Sequence, residues 1–331
     1  MDRNSPRLSA IRAAMVCIAL SGITLLLASC QMPELTHVSS DRSIFPSPTS
    51  CAECHVEIYK EWAASSHATA FVSKTYRRAT DDYRFGECLS CHAPEPMMGI
   101  EQPAVRPTNR EAGIVCVTCH LDHGSMVGPN RPTGIVKPHP IRVDPAAFNN
   151  GTLCGRCHQS TLAQWQAATT PEKQDCRTCH MPEVRRTMTQ ATGLISRPLV
   201  AAETPGIEHR HSFCLTAEDS SNKSCELEVI ADKDHAKVTL HNLLPHSLPT
   251  GDFGVRIIRL LVNAVDNAGK ESSVAEWDVY GKLGGPVPAG ESRSWTVLLP
   301  SDTQRLVLQL VHQGRDAADQ VVLLRKEVAV P

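Results

Sequence analysis

The chain has almost no charge bias. Its 331 residues carry 33 Lys and Arg against 35 Asp and Glu, a formal charge of −2. A nucleic-acid binder usually carries a basic surplus, and the composition shows none, so nothing suggests nucleic-acid binding. Aromatic residues are few, at 4%. Between residues 49 and 206 apolar side chains are too sparse and too irregularly spaced to build an ordinary core. One long uncharged apolar stretch, Ala13 to Ala28, stands at the extreme N-terminus and is short for a membrane span. A self-sufficient helical core over the first half is therefore excluded, so something other than side chains must fill it.

Cysteine and histidine are abundant, with 14 and 15 copies. Ten of the cysteines fall into five Cys-x-x-Cys-His motifs: Cys51–Cys54–His55, Cys88–Cys91–His92, Cys116–Cys119–His120, Cys154–Cys157–His158 and Cys176–Cys179–His180. Composition alone predicts roughly 0.03 such matches, so the pattern is selected. Two thiols three positions apart can add to the two vinyl groups on one porphyrin edge. The next residue, His, then reaches the iron as proximal ligand. The chain is thus expected to hold five covalently attached haem c groups. The competing reading, zinc held by paired Cys-x-x-Cys elements, gives no reason for a His after every pair. No motif carries Lys in place of His.

Residues 1–29 read as a lipoprotein signal peptide. Arg3, Arg7 and Arg12 precede the apolar run, and Leu27-Ala-Ser-Cys30 resembles a lipobox in which Cys30 is lipidated. A plain anchor or an ordinary cleaved leader is the alternative. Gln31 follows the Cys, which points to an outer-membrane lipoprotein, on the periplasmic or the cell-surface face. Export suits the motifs, because thioether attachment takes place outside the cytoplasm. Removing three Arg and one Asp with the leader leaves 30 basic and 34 acidic residues, a charge of −4.

Residues 30–48, polar and rich in Pro and Ser, form a tether. Residues 49–206 hold every motif, and buried porphyrin would supply much of their apolar surface. Short helices joined by long loops are expected there. Ile58, Trp62, Ser65, Thr69 and Val72 form one stripe at helical spacing, which predicts a helix over Val56–Val72. A second is predicted over Thr161–Ala168. Gly124–Pro145, with five Pro and three Gly, reads as an irregular loop.

Residues 207–331 change texture. Strands are predicted at Glu226–Ala231, Lys237–Leu243, Val255–Val265, Val274–Leu283, Ser292–Leu299, Arg305–Val311 and Val321–Val328, with turns at Asp232-Lys-Asp234 and Asp266-Asn-Ala-Gly269. Seven short strands suggest an immunoglobulin-like sandwich. Cys214 and Cys225 flank a polar loop and are expected to form a disulfide in an oxidising compartment; two buried thiols are the alternative.

A six-coordinate haem needs a ligand on its far face. Ten histidines lie outside the motifs. His67, His123, His139, His211 and His246 are the candidate distal ligands. His67 lies on the predicted helix that follows the first motif. His123 is too close to His120 to cap the same haem and would serve a neighbour. His139 is flanked by Pro138 and Pro140. His209 is the substitute for His211. His37, His235, His241 and His312 read as tether or strand-surface residues. Met97, Met98 and Met181 could also ligate iron or merely pack on porphyrin.

Several of these segments together resemble bacterial multihaem c-type cytochromes with a C-terminal immunoglobulin-like domain. They are the first motif with Tyr59, Trp62 and Ser66-His67-Ala68, then Gly113-Ile-Val-Cys116, Leu153 to Gln159, Cys179-His-Met-Pro182, His211-Ser-Phe213 and His246 to Gly251. Pro245 stands where that family usually has Gly. The resemblance implies a multidomain chain: a mostly irregular and α-helical multihaem cytochrome c domain followed by an all-β sandwich. It also implies electron transfer, commonly in anaerobic respiratory chains. Motif density and the supply of spare histidines favour a carrier that meets redox partner proteins over an enzyme. The alternative is a multihaem oxidoreductase with one open iron, of nitrite or hydroxylamine type. The sandwich would either cap the haem domain or dock a partner.

Overall fold

The computed structural model describes residues 46–134, 137–170, 173–190, 200, 202–213, 224–251, 257–280, 285–313 and 320–331. The expected leader, Cys30, His37 and Cys214 lie outside those residues, so the expected disulfide does too. Among the described residues no helix is long and apolar enough to cross a membrane.

The first half is built from short helices: α1 (Pro48–Ala52), α2 (Val56–Ala63), α3 (Lys74–Ala79), α4 (Leu89–His92), α5 (Cys116–His120), α6 (Gln159–Ala167) and α7 (Cys176–His180). Their starts are locally encoded. Ser47 and Asp175 cap α1 and α7, and the Ser73 hydroxyl accepts from the amide of Tyr76 at the head of α3. Three helices end on a motif histidine.

Helix α2 stops at Ala63 instead of continuing to Val72. The reason is a competing partner. The carbonyl of His67 accepts the amide of Ile114 at 3.0 Å, and the Trp62 indole donates to the Ile114 carbonyl at 2.8 Å. Those long-range bonds replace the next helical turn.

The Gly124–Pro145 stretch is more regular than its composition suggested. Strand β1 (Leu121–Asp122) pairs antiparallel with β2 (Ser125–Gly128), and β2 pairs in parallel with β3 (Ile141–Val143). All five prolines fall outside the paired residues, so no ladder donor is lost. Strands β4 (Glu183–Arg186) and β5 (Gly206–His209) form an antiparallel pair that leads residues 210–213 back towards the motifs.

The last third holds seven antiparallel strands: β6 (Cys225–Ala231), β7 (His235–Asn242), β8 (Ile257–Asp266), β9 (Glu271–Tyr280), β10 (Ser292–Leu298), β11 (Thr303–Gln313) and β12 (Gln320–Ala329). They form two sheets, ordered β10-β7-β6 and β12-β11-β8-β9. Alternation in the sequence sets the faces: along β7 every second residue is buried. Leu227, Val238, Leu240, Ile258, Leu260, Val262, Leu306, Leu308 and Leu310 join one core drawn from both sheets. Each such burial contributes about 1.5–3 kcal/mol. Tight turns close the hairpins. Asp266 accepts from the amides of Ala268 and Lys270, and Gly269 takes the positive φ the turn needs.

The motif-bearing half has no comparable core. Its described apolar clusters are Val115–Val117–Leu121 and Met98–Val127–Phe148. That is the deficit expected if covalent porphyrins fill the interior.

Candidate haem centres

Three of the motif histidines are oriented by backbone carbonyls. His55 Nδ1 lies 2.9 Å from the Met188 carbonyl, His92 Nδ1 2.6 Å from that of Ala70, and His120 Nδ1 2.7 Å from that of Val127. A carbonyl can only accept, so Nδ1 carries the proton and Nε2 keeps its lone pair for a metal.

Four of the five motif rings face a second histidine ring. His55 faces His139 at 6.5 Å between centroids, His158 faces His67 at 6.4 Å, His120 faces His211 at 6.1 Å, and His180 faces His246 at 6.3 Å. An iron–nitrogen bond is about 2 Å, and the ring centroid lies about 1 Å beyond the nitrogen. Two imidazoles on opposite faces of one iron therefore have centroids about 6 Å apart. The side chains leave that gap in four places. Around the first, Cys51, Cys54, His55 and His139 line a single cleft with Ser50, Met126 and Pro138. Thiols on one rim and two imidazoles across the gap match the attachment chemistry of haem c. Among the described residues no group of three His, Cys, Asp or Glu is arranged to hold a bare metal ion.

Each opposing histidine is delivered by a different element. His67 follows α2, and Phe213 lies edge-on against its ring at 4.1 Å. His139 sits between prolines that fix its backbone. His211 follows β5. His246 comes from the sandwich, on a loop that α6 grips: Gln164 Oε1 accepts from the Ser247 amide at 2.9 Å and the Thr250 hydroxyl at 3.0 Å. Burial pushes the His67 imidazolium down to about 4 and His211 down to about 3, and it lowers His120, His139 and His246 as well. All five are held neutral, the form that ligates iron.

His123 was expected to serve a neighbouring haem, and here the reading is corrected. Its side chain is 87% exposed, its φ is +47°, and its Nδ1 bonds to Asp122. The tight turn between β1 and β2 points it to solvent. His209 donates to the Met181 carbonyl at 2.6 Å, and His241 meets Ser292 and Glu228 on the sandwich surface. Met97 and Met98 are buried, and Met97 Sδ lies 3.9 Å from Cys157 Sγ.

His92 differs. Among the described residues no histidine ring faces it. Tyr76 stacks on it instead, with centroids 3.8 Å apart and planes 11° apart. A ring lying flat on an imidazole braces it and does not stand along its Nε2 axis. Phe71 and Tyr83 stack beside Tyr76, so three of the few aromatic residues gather here.

Cysteines of different motifs also meet. Cys51 is within hydrogen-bonding reach of Cys116, Cys91 of Cys157, and Cys154 of Cys176. The first motif thus adjoins the third, the second adjoins the fourth, and the fourth adjoins the fifth. Glycines permit this closeness: a Cβ on Gly151 would stand 2.8 Å from Cys176 Sγ.

Supporting residues gave no local signal. Arg106 is 1% exposed and donates to the carbonyls of Pro94, Thr108, Asn109 and Gly113, tying the His92 segment to the approach to Cys116. Glu61, on α2, receives Arg186 on both oxygens. Burial raises its carboxyl, but Arg186, the His211 amide and Arg210 outweigh that and leave it lowered.

The family described as cytochrome c554 and c-prime matches residues 50–121, which span the first three motifs. A penta-heme cytochrome c552 from Thermochromatium tepidum is similar in fold, with 18% identity, 89% of this chain and 100% of that chain covered, and a TM-score of 0.59. The putative ApaA protein from Bordetella pertussis aligns over 33% of this chain and 91% of its own at 15% identity, with a TM-score of 0.21 that carries no argument. No curated protein matches the sequence. The family match and the motifs it covers support a multihaem c-type cytochrome with electron transfer as its general role.

Proposed function

We propose that residues 49–206 bind five haem c groups and that the chain passes electrons between redox partner proteins at the cell envelope, in an anaerobic respiratory chain. The observation that carries the reading is the set of four histidine pairs with centroids 6.1–6.5 Å apart. When bound, each haem supplies a one-electron ferric–ferrous couple. The chain's residues do the rest. The cysteines fix each group covalently. The histidine pairs hold two strong nitrogen ligands that need little rearrangement on reduction. The contacts between cysteines of different motifs bring neighbouring sites close enough for electron tunnelling.

The sandwich is read as an immunoglobulin-like cap that donates His246, on its seven strands and three-plus-four split. Cys30 carries the lipid that holds the protein at the outer membrane, and residues 30–48 form the tether. Mass spectrometry of natively expressed protein tests the reading: five thioether-bound haems are expected, and fewer would overturn it. Cys30→Ala should release the protein from membranes.

One observation favours a second reading, an oxidoreductase with one open haem. His92 has no histidine opposite it among the described residues. Binding of cyanide or nitrite to a high-spin centre, followed by turnover of nitrite or hydroxylamine, would favour it. Ligand binding without turnover would leave electron transfer as the function.

A further inference from the structure

We propose that Glu61 and Arg186 act as an opposed pair that sets the reduction potential of the haem lying between His120 and His211. The inference rests on the proposed pairing of those two histidines. Arg186 ends β4, and its side chain is 7% exposed. Its guanidinium donates to the two oxygens of Glu61 at 2.8 and 3.0 Å. Its Nη2 also donates to the carbonyl of His209 at 3.1 Å. That same carbonyl accepts the Nδ1 proton of His211 at 3.0 Å. The other side of the network closes on the same residue, because Glu61 Oε2 accepts the backbone amide of His211 at 2.9 Å.

The geometry couples charge to ligand strength. A strong hydrogen bond from Nδ1 makes an imidazole more basic, which favours ferric iron. Here the acceptor is shared with a cation, so the bond from His211 is weakened and the ferrous state gains. The buried positive charge favours the ferrous state in its own right. Glu61 opposes both: it neutralises Arg186 and puts a carboxylate against the ligand's main chain. His246 and His139 bond through Nδ1 to the carbonyls of Ser247 and Pro140. The Pro140 carbonyl is shared with the neutral amide of Met126. Among these three distal histidines, His211 is the one whose acceptor takes a described charged donor.

The test uses full-length, haem-loaded protein titrated potentiometrically with EPR detection. Arg186→Gln should move one low-spin centre to lower potential, by tenfold or more in its reduction equilibrium, about 59 mV for one electron. Glu61→Gln should move the same centre upward. Arg186→Lys, which keeps the charge but cannot span both acceptors, should give a smaller downward shift. It carries the test if Arg186→Gln fails to load haem. Unchanged midpoints, or shifts of the same sign in Glu61→Gln and the Arg186 variants, would overturn the proposal. His211→Ala is the control: it should turn that same centre high-spin. If it does not, the pairing of His120 with His211 is wrong, whatever the potentials do.

Discussion

Gly113→Ala should loosen one haem centre from a distance. Gly113 has φ +66° and ψ −134°, a region close to glycine's own. An alanine Cβ there would stand 2.5 Å from the His67 carbonyl oxygen and 2.9 Å from that of Ala68. Both are backbone atoms and cannot swing aside as a side chain would. The strained backbone costs about 1–3 kcal/mol. Overpacking adds about 1–3 kcal/mol, so about 2–6 kcal/mol is lost altogether. Relief requires the His67 carbonyl to move, which breaks its bond to the Ile114 amide and shifts the ring facing His158. At about 2–4 °C per kcal/mol, the smallest loss, about 2 kcal/mol, corresponds to a melting temperature lower by about 4–8 °C. EPR should show one low-spin signal weakened or shifted. Gly99→Ala is the control, because Gly99 also has a positive φ but nothing within 4 Å of an added Cβ. It should cost only the left-handed penalty, about 1–2 kcal/mol, and leave every signal in place. A Gly113→Ala protein as stable as Gly99→Ala, with unchanged signals, would refute the reasoning.

Other substitutions give sharper yes-or-no outcomes. Tyr76→Phe removes a buried hydroxyl with no hydrogen-bond partner among the described residues, so thermal stability should hold or rise, whereas Tyr76→Ala should cost about 3–5 kcal/mol in denaturant unfolding. Gln164→Ala removes the grip of α6 on the His246 loop; about 1–3 kcal/mol should be lost and one low-spin EPR signal should broaden. His123→Ala should leave the visible and EPR spectra unchanged, since its side chain points to solvent.

What could be read in advance followed the range of each signal. The haem motifs are covalent chemistry written in five consecutive residues, so spacing alone identified them. The sandwich strands were legible because Val-, Leu- and Ile-rich runs are separated by turn residues and β6, β7 and β8 alternate in burial with period two, and each predicted strand overlaps an observed one. Helix α2 was read too long because its stop depends on Ile114, some fifty residues away. The parallel pairing of β2 with β3 was hidden by surrounding prolines that turn out to flank the ladder. Histidines could be nominated as distal ligands but not paired. His67 meets His158, and His120 meets His211, only through the tertiary fold. His123 was nominated to serve a neighbouring haem, yet the turn between β1 and β2 sends its ring outward. Glu61, Arg186 and Gln164 had no sequence signature at all, since a residue that orients a ligand from another segment is defined by that contact and by nothing local.

Quantitative EPR of the oxidised, fully loaded protein tests the central claim most directly. At least four low-spin centres, one for each histidine pair, are predicted. Fewer than four low-spin centres would contradict the assignment of ligands on which the account stands.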